Sequence, residues 1–275
     1  MNYQVMCLTP LGSGGNADLQ VGRLTDNGEQ VVVKFLRDFH LPHARQAFAR
    51  EVRILSQNFP GMVRLLFANM ETERPYYVMP FLSGGSLRQY VGRLSGEQLL
   101  AVAHEVGRSL AALHARHVAH GDIKPDNILV SGDGRLQVAD PLGNGFGCTV
   151  LFSQNHGGTP GYWAPEVHAG NPISKAGDLY SYGATLYHLA TGQKPRDGQR
   201  LDLVVGHWNG CSRIRRTIAA CCHPDPGMRP DILEALRLLN GESWTHLQQV
   251  RLEQRQRAVV CAVGILGLLV VALAT

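Results

Sequence analysis

The first eighty residues alternate short apolar runs with polar turns, a pattern that predicts β-strands. The predicted strands are residues 19–24, 30–36, 63–70 and 76–79. Asp26-Asn27-Gly28 has the composition of a tight turn between the first two strands. Residues 43–57 instead carry apolar side chains at a partly helical spacing, and Phe59-Pro60-Gly61 would stop that helix.

Residues 120–127 form a polar stretch between a predicted helix and a predicted strand. Ser95-Gly96-Glu97-Gln98 has the pattern of a capping box, and the apolar residues after it keep a helical spacing, so a long helix leads towards His120. Residues 128–130 form a short apolar run, and Asp133-Gly134 would turn it into a hairpin. We therefore expect residues 120–127 to form a loop that is held between a helix and a strand.

Composition and charge exclude several classes of protein. The chain has 275 residues, of which 44% are apolar and 17% charged, and the C-terminal residues contribute to this balance. The net charge of +4 comes without dense blocks of Lys and Arg, which argues against a nucleic-acid partner. The six cysteines form no C-x-x-C pair, so we expect neither a disulfide framework nor a zinc site. The N-terminal residues lack the features of a signal peptide, so the first domain is expected to stay in the cytoplasm.

The loop His120-Gly121-Asp122-Ile123-Lys124-Pro125-Asp126-Asn127 carries the side chains that phosphoryl transfer needs. Asp122 can accept a proton from a hydroxyl, Lys124 can contact a phosphoryl oxygen, and Asn127 offers a neutral oxygen to Mg²⁺. The order H-x-D-x-K-P-x-N resembles the catalytic loop of protein kinases, and specifically of Ser/Thr kinases. A polar surface turn before a strand is the alternative that this loop, taken alone, leaves open.

Residues on the N-terminal side of the loop resemble the nucleotide-binding part of the same family. Residues 11–19 resemble its glycine-rich loop, G-x-G-x-x-G, with Ala17 in place of the third glycine. Lys34 resembles the lysine that pairs with the α and β phosphates, and Glu51 the helix glutamate that holds this lysine. A plain hairpin, a lysine at a sheet edge and an exposed helix glutamate are the alternatives.

Residues 76–87 resemble a kinase hinge with Met79 as its gatekeeper. The carbonyl group of Pro80 and the N–H group of Leu82 would contact adenine. The nucleotide-binding residues that the resemblance implies are Leu11, Gly12, Gly14, Leu19, Lys34, Glu51, Pro80 and Leu82.

Asp140 lies where the family has the Mg²⁺-binding aspartate of its D-F-G motif, and with Asn127 it completes the implied metal site. The sequence here is Asp140-Pro141-Leu142-Gly143, so the Phe and Gly of the motif are replaced or displaced. A residue before proline favours extended backbone, so the usual geometry at Asp140 is not assured. This departure, together with Gly121 in place of the family's arginine, makes a pseudokinase scaffold the first alternative.

Residues 158–166 resemble the G-T-x-x-Y-x-A-P-E element that closes the activation segment of Ser/Thr kinases. The resemblance implies that Glu166 pairs with Arg229 and that Asp178 braces the catalytic loop. Because Gly121 replaces the arginine that grips a phosphorylated activation segment in many kinases, activity is not expected to depend on that switch.

The last eighteen residues, 258–275, contain no charged residue and no proline. A helix of that length is about 27 Å long, enough to cross the hydrocarbon core of a bilayer. Arg251, Arg255 and Arg257 precede this run and favour a cytoplasmic N-terminal side. We therefore predict a single-pass membrane protein, with a buried core helix as the alternative for this run.

The resemblance covers residues 8–240, and it implies an α+β fold with a small β-rich N-lobe, a larger helical C-lobe and ATP between them. The predicted units are a kinase domain (1–247; N-lobe 1–80, hinge 80–85, C-lobe 86–247), a basic juxtamembrane segment (248–257) and a transmembrane helix (258–275). The implied activity is transfer of a phosphoryl group from ATP, with Mg²⁺, to Ser and Thr residues of protein substrates.

The resemblance is strongest to bacterial Ser/Thr kinases, so the bacterial inner membrane is the expected location. A second alternative is a small-molecule phosphotransferase of the aminoglycoside-kinase type, since that group also uses His-Gly-Asp, as at residues 120–122. The Gly158–Glu166 element and Arg229, which are features of kinases with protein substrates, argue against it.

Overall fold

A computed structural model describes residues 4–13, 17–142 and 161–253, and its first part is a five-stranded antiparallel sheet in the order β1-β2-β3-β5-β4. The strands are β1 (Val5–Ser13), β2 (Ala17–Leu24), β3 (Gln30–Leu36), β4 (Phe67–Asn69) and β5 (Tyr76–Pro80). The β-branched residues of β3 are buried on the central strand of this sheet. The register pairs Lys34 with Leu19 on one side and with Tyr77 on the other, so the lysine lies in the middle of the sheet.

One helix, α1 (Pro42–Leu55), belongs to this part of the chain, and the prediction of a helix over residues 43–57 is confirmed apart from its ends. Pro42 begins it, which suits proline because the first helical N–H needs no partner. Phe48 and Leu55 are buried, and Glu51 lies between them at helical spacing on the same face. The helix therefore presents Glu51 to the sheet.

The strand predicted over residues 63–70 is wrong in its extent, because only Phe67–Asn69 forms β4. Val63 instead donates its N–H to the carbonyl of Val138 at 2.9 Å, and Val138 donates to the carbonyl of Gly61 at 2.8 Å. Met62 forms an isolated bridge with Val138. Met62 and Val63 thus bond with a later hairpin, while Leu66 donates to the carbonyl of Val78 in β5 at 2.9 Å, so this segment joins the sheet to the rest of the molecule.

The second part is mainly helical and confirms the predicted two-lobed α+β architecture. Its helices are α2 (Gly96–Ala115), α3 (Pro165–His168), α4 (Lys175–Thr191), α5 (Leu201–Val204), α6 (Ser212–Cys221) and α7 (Ile232–Leu239), and its hairpin is β6 (Ile128–Val130) with β7 (Leu136–Val138). The capping box at Ser95 and Gln98 is present. Gly192 ends α4 with φ of 73°, and α4 is the buried central helix of this lobe.

Residues 244–253 form a further helix. Its Leu247 is buried against Ala220 and Leu238. Arg251, one of the basic residues that precede the apolar run, donates to Glu234 and to the carbonyl of Arg229, so it is held by the C-lobe. None of the helices in the described part of the chain has the length and apolarity that crossing a bilayer requires. The predicted transmembrane run, 258–275, lies outside the described residues.

Candidate active site

The buried Lys34 lies at the centre of an ionic cluster. Its Nζ is 2.7 Å from Oε1 of Glu51 and 2.9 Å from Oδ1 of Asp140. The hydroxyl of Tyr77, the residue beside Lys34 on β5, donates to Glu51 Oε1 at 2.7 Å. The predicted ion pair between Lys34 and Glu51 is therefore confirmed, while the contribution of Tyr77 was not predicted.

The Lys34 ammonium and the carboxylates of Glu51 and Asp140 stabilise one another's charged forms. Burial alone would lower the pKa of Lys34, but the carboxylates of Asp140 and Glu51 outweigh it and hold that pKa well above its ordinary value. Burial would likewise raise the pKa of Asp140, but the Lys34 ammonium outweighs it and lowers that pKa. Burial raises the pKa of Glu51, and Lys34 offsets only part of that shift. Lys34 and Asp140 are accordingly both charged at neutral pH.

Asp140 has a backbone that differs from the extended conformation expected before a proline. Its φ is +59°, in the left-handed region, which L-residues adopt at a cost of about 1–2 kcal/mol. The carboxylate reaches Lys34 from this conformation, and Leu142 donates its N–H to the carbonyl of His120 at 2.8 Å. Contacts on both sides of Pro141 therefore hold the strained residue in place.

The catalytic-loop candidates converge on one carboxylate. Lys124 Nζ lies 2.6 Å from Asp122 Oδ2, and Asn127 Nδ2 donates to the same oxygen at 2.7 Å and to the Asp122 carbonyl at 2.9 Å. Because its amide nitrogen is used in these bonds, Asn127 keeps its side-chain oxygen for another ligand. The Ala139 N–H donates to the Asn127 carbonyl at 2.8 Å, which ties this asparagine to the residue before Asp140.

Asp178, in the first turn of α4, braces the start of the loop as predicted. Its two oxygens accept the N–H groups of His120 and Gly121, each at 2.7 Å, and His114 Nε2 lies 2.8 Å from Oδ2. This contact gives His114 a structural role. Gly121 has φ of +89°, and a Cβ there would lie 2.8 Å from Ile173. The positive φ strains any residue with a side chain, and a Cβ would also displace Ile173, so glycine suits this position.

His120 connects the loop to the strand that leads to Asp140. Its Nε2 donates to the carbonyl of Ala139 at 3.0 Å, and its Nδ1 accepts the N–H of Asp122 at 3.2 Å. This pair of contacts requires the neutral ring with the proton on Nε2. Burial lowers the His120 pKa, which favours that neutral form, although nearby carboxylates offset part of the shift.

Glu166 and Arg229 form the predicted ion pair in bidentate geometry, at 2.6 and 2.8 Å. The three remaining N–H groups of the guanidinium donate to backbone carbonyls, namely those of His223, Ala176 and Pro224. All five donors of a buried arginine are therefore used, and the pair fastens α3 to α4 and α7. Residues 158–160 of the same predicted element lie outside the described residues.

The other predicted nucleotide-binding residues that the structure describes lie on β1, on β2 and at the end of β5. Gly12 pairs with Leu19 in the β1–β2 hairpin, Leu11 is exposed on β1, and Gly14 lies outside the described residues. Pro80 pairs with Val31 at the end of β5. The N–H group of Leu82 has no hydrogen-bond partner among residues 4–13, 17–142 and 161–253, so it is available to a ligand.

Comparison with known families decides what this arrangement is. A model of the family described as "Protein kinase domain" matches residues 6–238, which is most of the chain. The chain belongs to the protein kinase family. The prediction of a protein kinase domain is therefore confirmed, and the family uses ATP as substrate and Mg²⁺ as cofactor.

Three curated bacterial kinases are similar to this kinase domain. The DNA damage-responsive serine/threonine-protein kinase RqkA of Deinococcus radiodurans is 34% identical over 211 residues, which are 70% of this chain and 30% of that protein. Serine/threonine-protein kinases pkn2 and Pkn1 of Myxococcus xanthus are 31% and 34% identical, each over 70% of this chain and 25% and 29% of their own lengths. The chain thus spans less than a third of each relative.

The oxygen donors of the kinase domain fit Mg²⁺ that is shared with nucleotide phosphates. Among the described residues, no group of three or more His, Cys, Asp or Glu side chains could hold a metal ion alone. Asp140 offers its second oxygen and Asn127 its amide oxygen, and Mg²⁺ usually takes only one or two protein carboxylates beside phosphate and water ligands. The residues present therefore suit this ion when a nucleotide supplies the remaining oxygens.

Proposed function

We propose that the chain is an ATP-dependent Ser/Thr protein kinase. The observation that carries this proposal is the double contact of Lys34 with Glu51 and Asp140, next to a loop in which Lys124 and Asn127 both bind Asp122. These contacts bring together side chains from β3, α1 and the two loops around the β6–β7 hairpin. Phosphoryl transfer depends mainly on positioning and electrostatic stabilisation, and such an arrangement supplies both.

In the proposed mechanism, Asp122 orients the Ser or Thr hydroxyl and accepts its proton as the oxygen attacks the γ-phosphorus. The bond from that phosphorus to the β–γ bridging oxygen breaks, and ADP leaves with the electron pair. Lys124 stabilises the moving phosphoryl group, and Lys34, held by Glu51, positions the α and β phosphates. Asn127 and Asp140 would hold Mg²⁺, which would supply positive charge to the phosphates.

Leu11, Gly12, Gly14 and Leu19 would cover the nucleotide, and Pro80 and Leu82 would contact adenine. The Lys34 contact of Asp140 supports an active enzyme over a pseudokinase scaffold, because the carboxylate reaches the site despite Pro141. The bidentate pair of Glu166 with Arg229 supports a protein substrate over an aminoglycoside-like one.

The experiment that tests this proposal compares the wild-type chain with Asp122→Asn, using labelled ATP, Mg²⁺ and a generic protein substrate. The variant keeps the hydrogen-bonding shape of the loop but loses the proton acceptor, so we expect unchanged nucleotide binding and a loss of transfer of about a hundredfold or more. Undiminished transfer by the variant, or tight ATP binding without any transfer by the wild type, would contradict the proposal.

We also propose that residues 258–275 anchor the kinase domain in a membrane, with the domain on the cytoplasmic side. The support is the uncharged 18-residue run and the basic residues Arg255 and Arg257 just before it. Arg251 is bound to the C-lobe and is left out of this count. A bilayer is therefore the expected partner of the C-terminal run, and the bacterial inner membrane the expected location.

Flotation with phospholipid vesicles tests the anchor. The full chain should float, and Leu266→Arg should reduce the floating fraction, because a charge at the centre of a spanning helix costs about 2.5–3.5 kcal/mol. Leu203→Arg, at an exposed position on α5, is the matched control and should float like the wild type. Equal flotation of both variants, or none for the wild type, would refute the anchor.

A further inference from the structure

A basic cavity lies beside the residues that follow the activation segment. It is open, has a volume of about 840 Å³, and is formed by the loop after α4. Its lining residues are Gln193, Lys194, Pro195, Arg196, Asp197 and Gln199. The inference drawn from it rests on the proposed kinase activity and concerns which proteins that activity would phosphorylate.

The loop that forms this cavity is fixed to Gly161. A Cβ at Gly161 would lie 2.0 Å from the carbonyl oxygen of Pro195, so the two backbones are in direct contact. Gly161 also donates its N–H to Asp197 Oδ1 at 2.6 Å, and His168 Nε2 lies 3.1 Å from the same oxygen. The one acidic side chain among the lining residues is thereby already bound, and the cavity keeps a fixed position next to Gly161.

In contrast to Asp197, the basic side chains of this region have no partner among the described residues. Lys194 and Arg196 are exposed, and neither side chain has a hydrogen-bond or ion-pair partner within the described ranges 4–13, 17–142 and 161–253. Arg88, exposed in the short 3-10 turn Leu87–Tyr90, likewise has no such partner among these residues. Three positive groups are therefore free to bind carboxylates on another molecule.

Tyr162 and His188 are affected by the charges of both the basic residues and the catalytic loop. The Tyr162 hydroxyl contacts His188 Nδ1. Burial lowers the pKa of His188, and the charges of Arg88 and Lys194 lower it further. Burial raises the pKa of Tyr162, and both Asp126 and Asp122 add to that shift. His188 belongs to α4, and Thr185 on the same helix donates to the carbonyl of Ile123, next to Asp122, at 3.2 Å. The basic loop and the catalytic loop are thus both attached to α4, so a bound peptide would reach both.

The neighbouring activation segment adds no formal charge of its own, because residues 143–160 contain no Lys, Arg, Asp or Glu. Asp126 is an exposed acid close to Asp122 in the catalytic loop, and its 3-10 turn contacts the turn that carries Arg88. Against this one carboxylate, Arg88, Lys194 and Arg196 give an excess of positive charge. A protein segment that presents its hydroxyl to Asp122 would therefore extend over a surface of net positive charge.

We propose that Lys194 and Arg196, together with Arg88, select protein substrates that carry Asp or Glu residues close to the phosphorylated Ser or Thr. Such carboxylates would pair with exposed cations, which assist encounter and discriminate by charge more than they raise affinity. The preference should appear mainly in KM, and it should weaken as ionic strength rises from about 0.05 M to about 0.5 M, because salt screens exposed charges.

The test uses the full chain in detergent micelles and two peptides, each with a single Ser acceptor, flanked on both sides either by Glu or by Lys. The wild type should use the Glu peptide with a kcat/KM at least about tenfold higher. Lys194→Glu/Arg196→Glu should remove or reverse this ratio through KM. Arg135→Glu/Arg216→Glu is the charge-matched control, since both arginines are exposed and neither lines the cavity, and it should keep the ratio.

Each outcome has a separate meaning. Equal use of the two peptides by the wild type, a preference for the Lys peptide, or an identical change of the ratio in both double variants would overturn this inference and leave the kinase proposal intact. A wild-type chain that phosphorylates neither peptide nor any protein would refute the kinase proposal itself, and this inference with it.

Discussion

The hydroxyl of Tyr77 supports the buried lysine through Glu51, since it donates to the same oxygen that Lys34 contacts. We expect Tyr77→Phe to lower the free energy of unfolding by about 1–2 kcal/mol, because the ring stays packed while a buried carboxylate loses a donor. Urea unfolding of the full chain measures this loss. Tyr76→Phe is the matched control on the same strand. Its hydroxyl has no hydrogen bond in the described part of the chain, so a similar loss there would contradict the role of Tyr77.

His120 makes the catalytic loop sensitive to acid. Its pKa in the folded state lies below the ordinary value of 6.5, so between the two pKa values the unfolded chain binds more protons. Its contribution to stability is therefore complete above pH 6.5 and is lost as pH falls through the folded pKa. Nearby Asp178, Asp122 and Asp140 reduce the shift but do not reverse it.

We expect the unfolding free energy of the wild type to fall between pH 7.5 and pH 5 more steeply than that of His120→Gln. The difference in slope should be at most about 1.4 kcal/mol per pH unit, which corresponds to one proton. His246→Gln, at an exposed position, should keep the wild-type slope. A His120→Gln profile parallel to that of the wild type would show that His120 is not the responsible group.

Arg229 is the point at which several elements of the C-lobe meet. Its side chain binds Glu166 at the start of α3 and carbonyls at the start of α4 and before α7, while its own carbonyl accepts from Arg251 in the 244–253 helix. The helix that precedes the predicted anchor is thereby attached to the end of the activation segment. One buried guanidinium thus holds together parts of the chain that are distant in sequence.

Arg229→Lys keeps the charge but loses the planar fork and most of its five donors. We expect it to lower the free energy of unfolding by about 3 kcal/mol, in the range found when a buried ion pair is broken. Thermal or urea unfolding measures the effect. The control is Arg237→Lys. Arg237, on α7, forms an exposed ion pair with Glu242, so this variant should change stability little. Equal effects of the two variants would contradict the role given to Arg229.

Across the whole molecule, the features that sequence predicts best are those that chemistry limits to one residue type. Lys34, Glu51, Asp178 and the Glu166 pair were identified because an ion pair or a bound loop requires these side chains in this order. The capping box at Ser95 and Gln98 was equally clear, since local backbone geometry selects its residues.

Features set by distant contacts were not predicted. Residues 63–66 looked like the start of a strand, but Val63 bonds with Val138 of the later hairpin, while Leu66 next to β4 bonds with the sheet. Proline favours extended backbone at Asp140, yet the contact with Lys34, 106 residues away in sequence, coincides with a positive φ. In the sequence, nothing distinguished Tyr77 from an ordinary buried strand residue, because a sequence does not reveal where a hydroxyl points. In each case a tertiary contact outweighed a local preference.

The central claim is that Asp140 serves a working kinase although Pro141 and Leu142 follow it. The most direct test measures the Mg²⁺-dependent rate at which the full chain transfers phosphate from ATP to protein Ser and Thr, beside Asp140→Asn and the control Asp133→Asn in the exposed β6–β7 turn. We predict transfer by the wild type and by Asp133→Asn, and a loss of about a hundredfold or more in Asp140→Asn, since one metal-binding carboxylate is removed. Transfer that survives Asp140→Asn unchanged, or that is missing from a wild-type chain that binds ATP, would contradict the account.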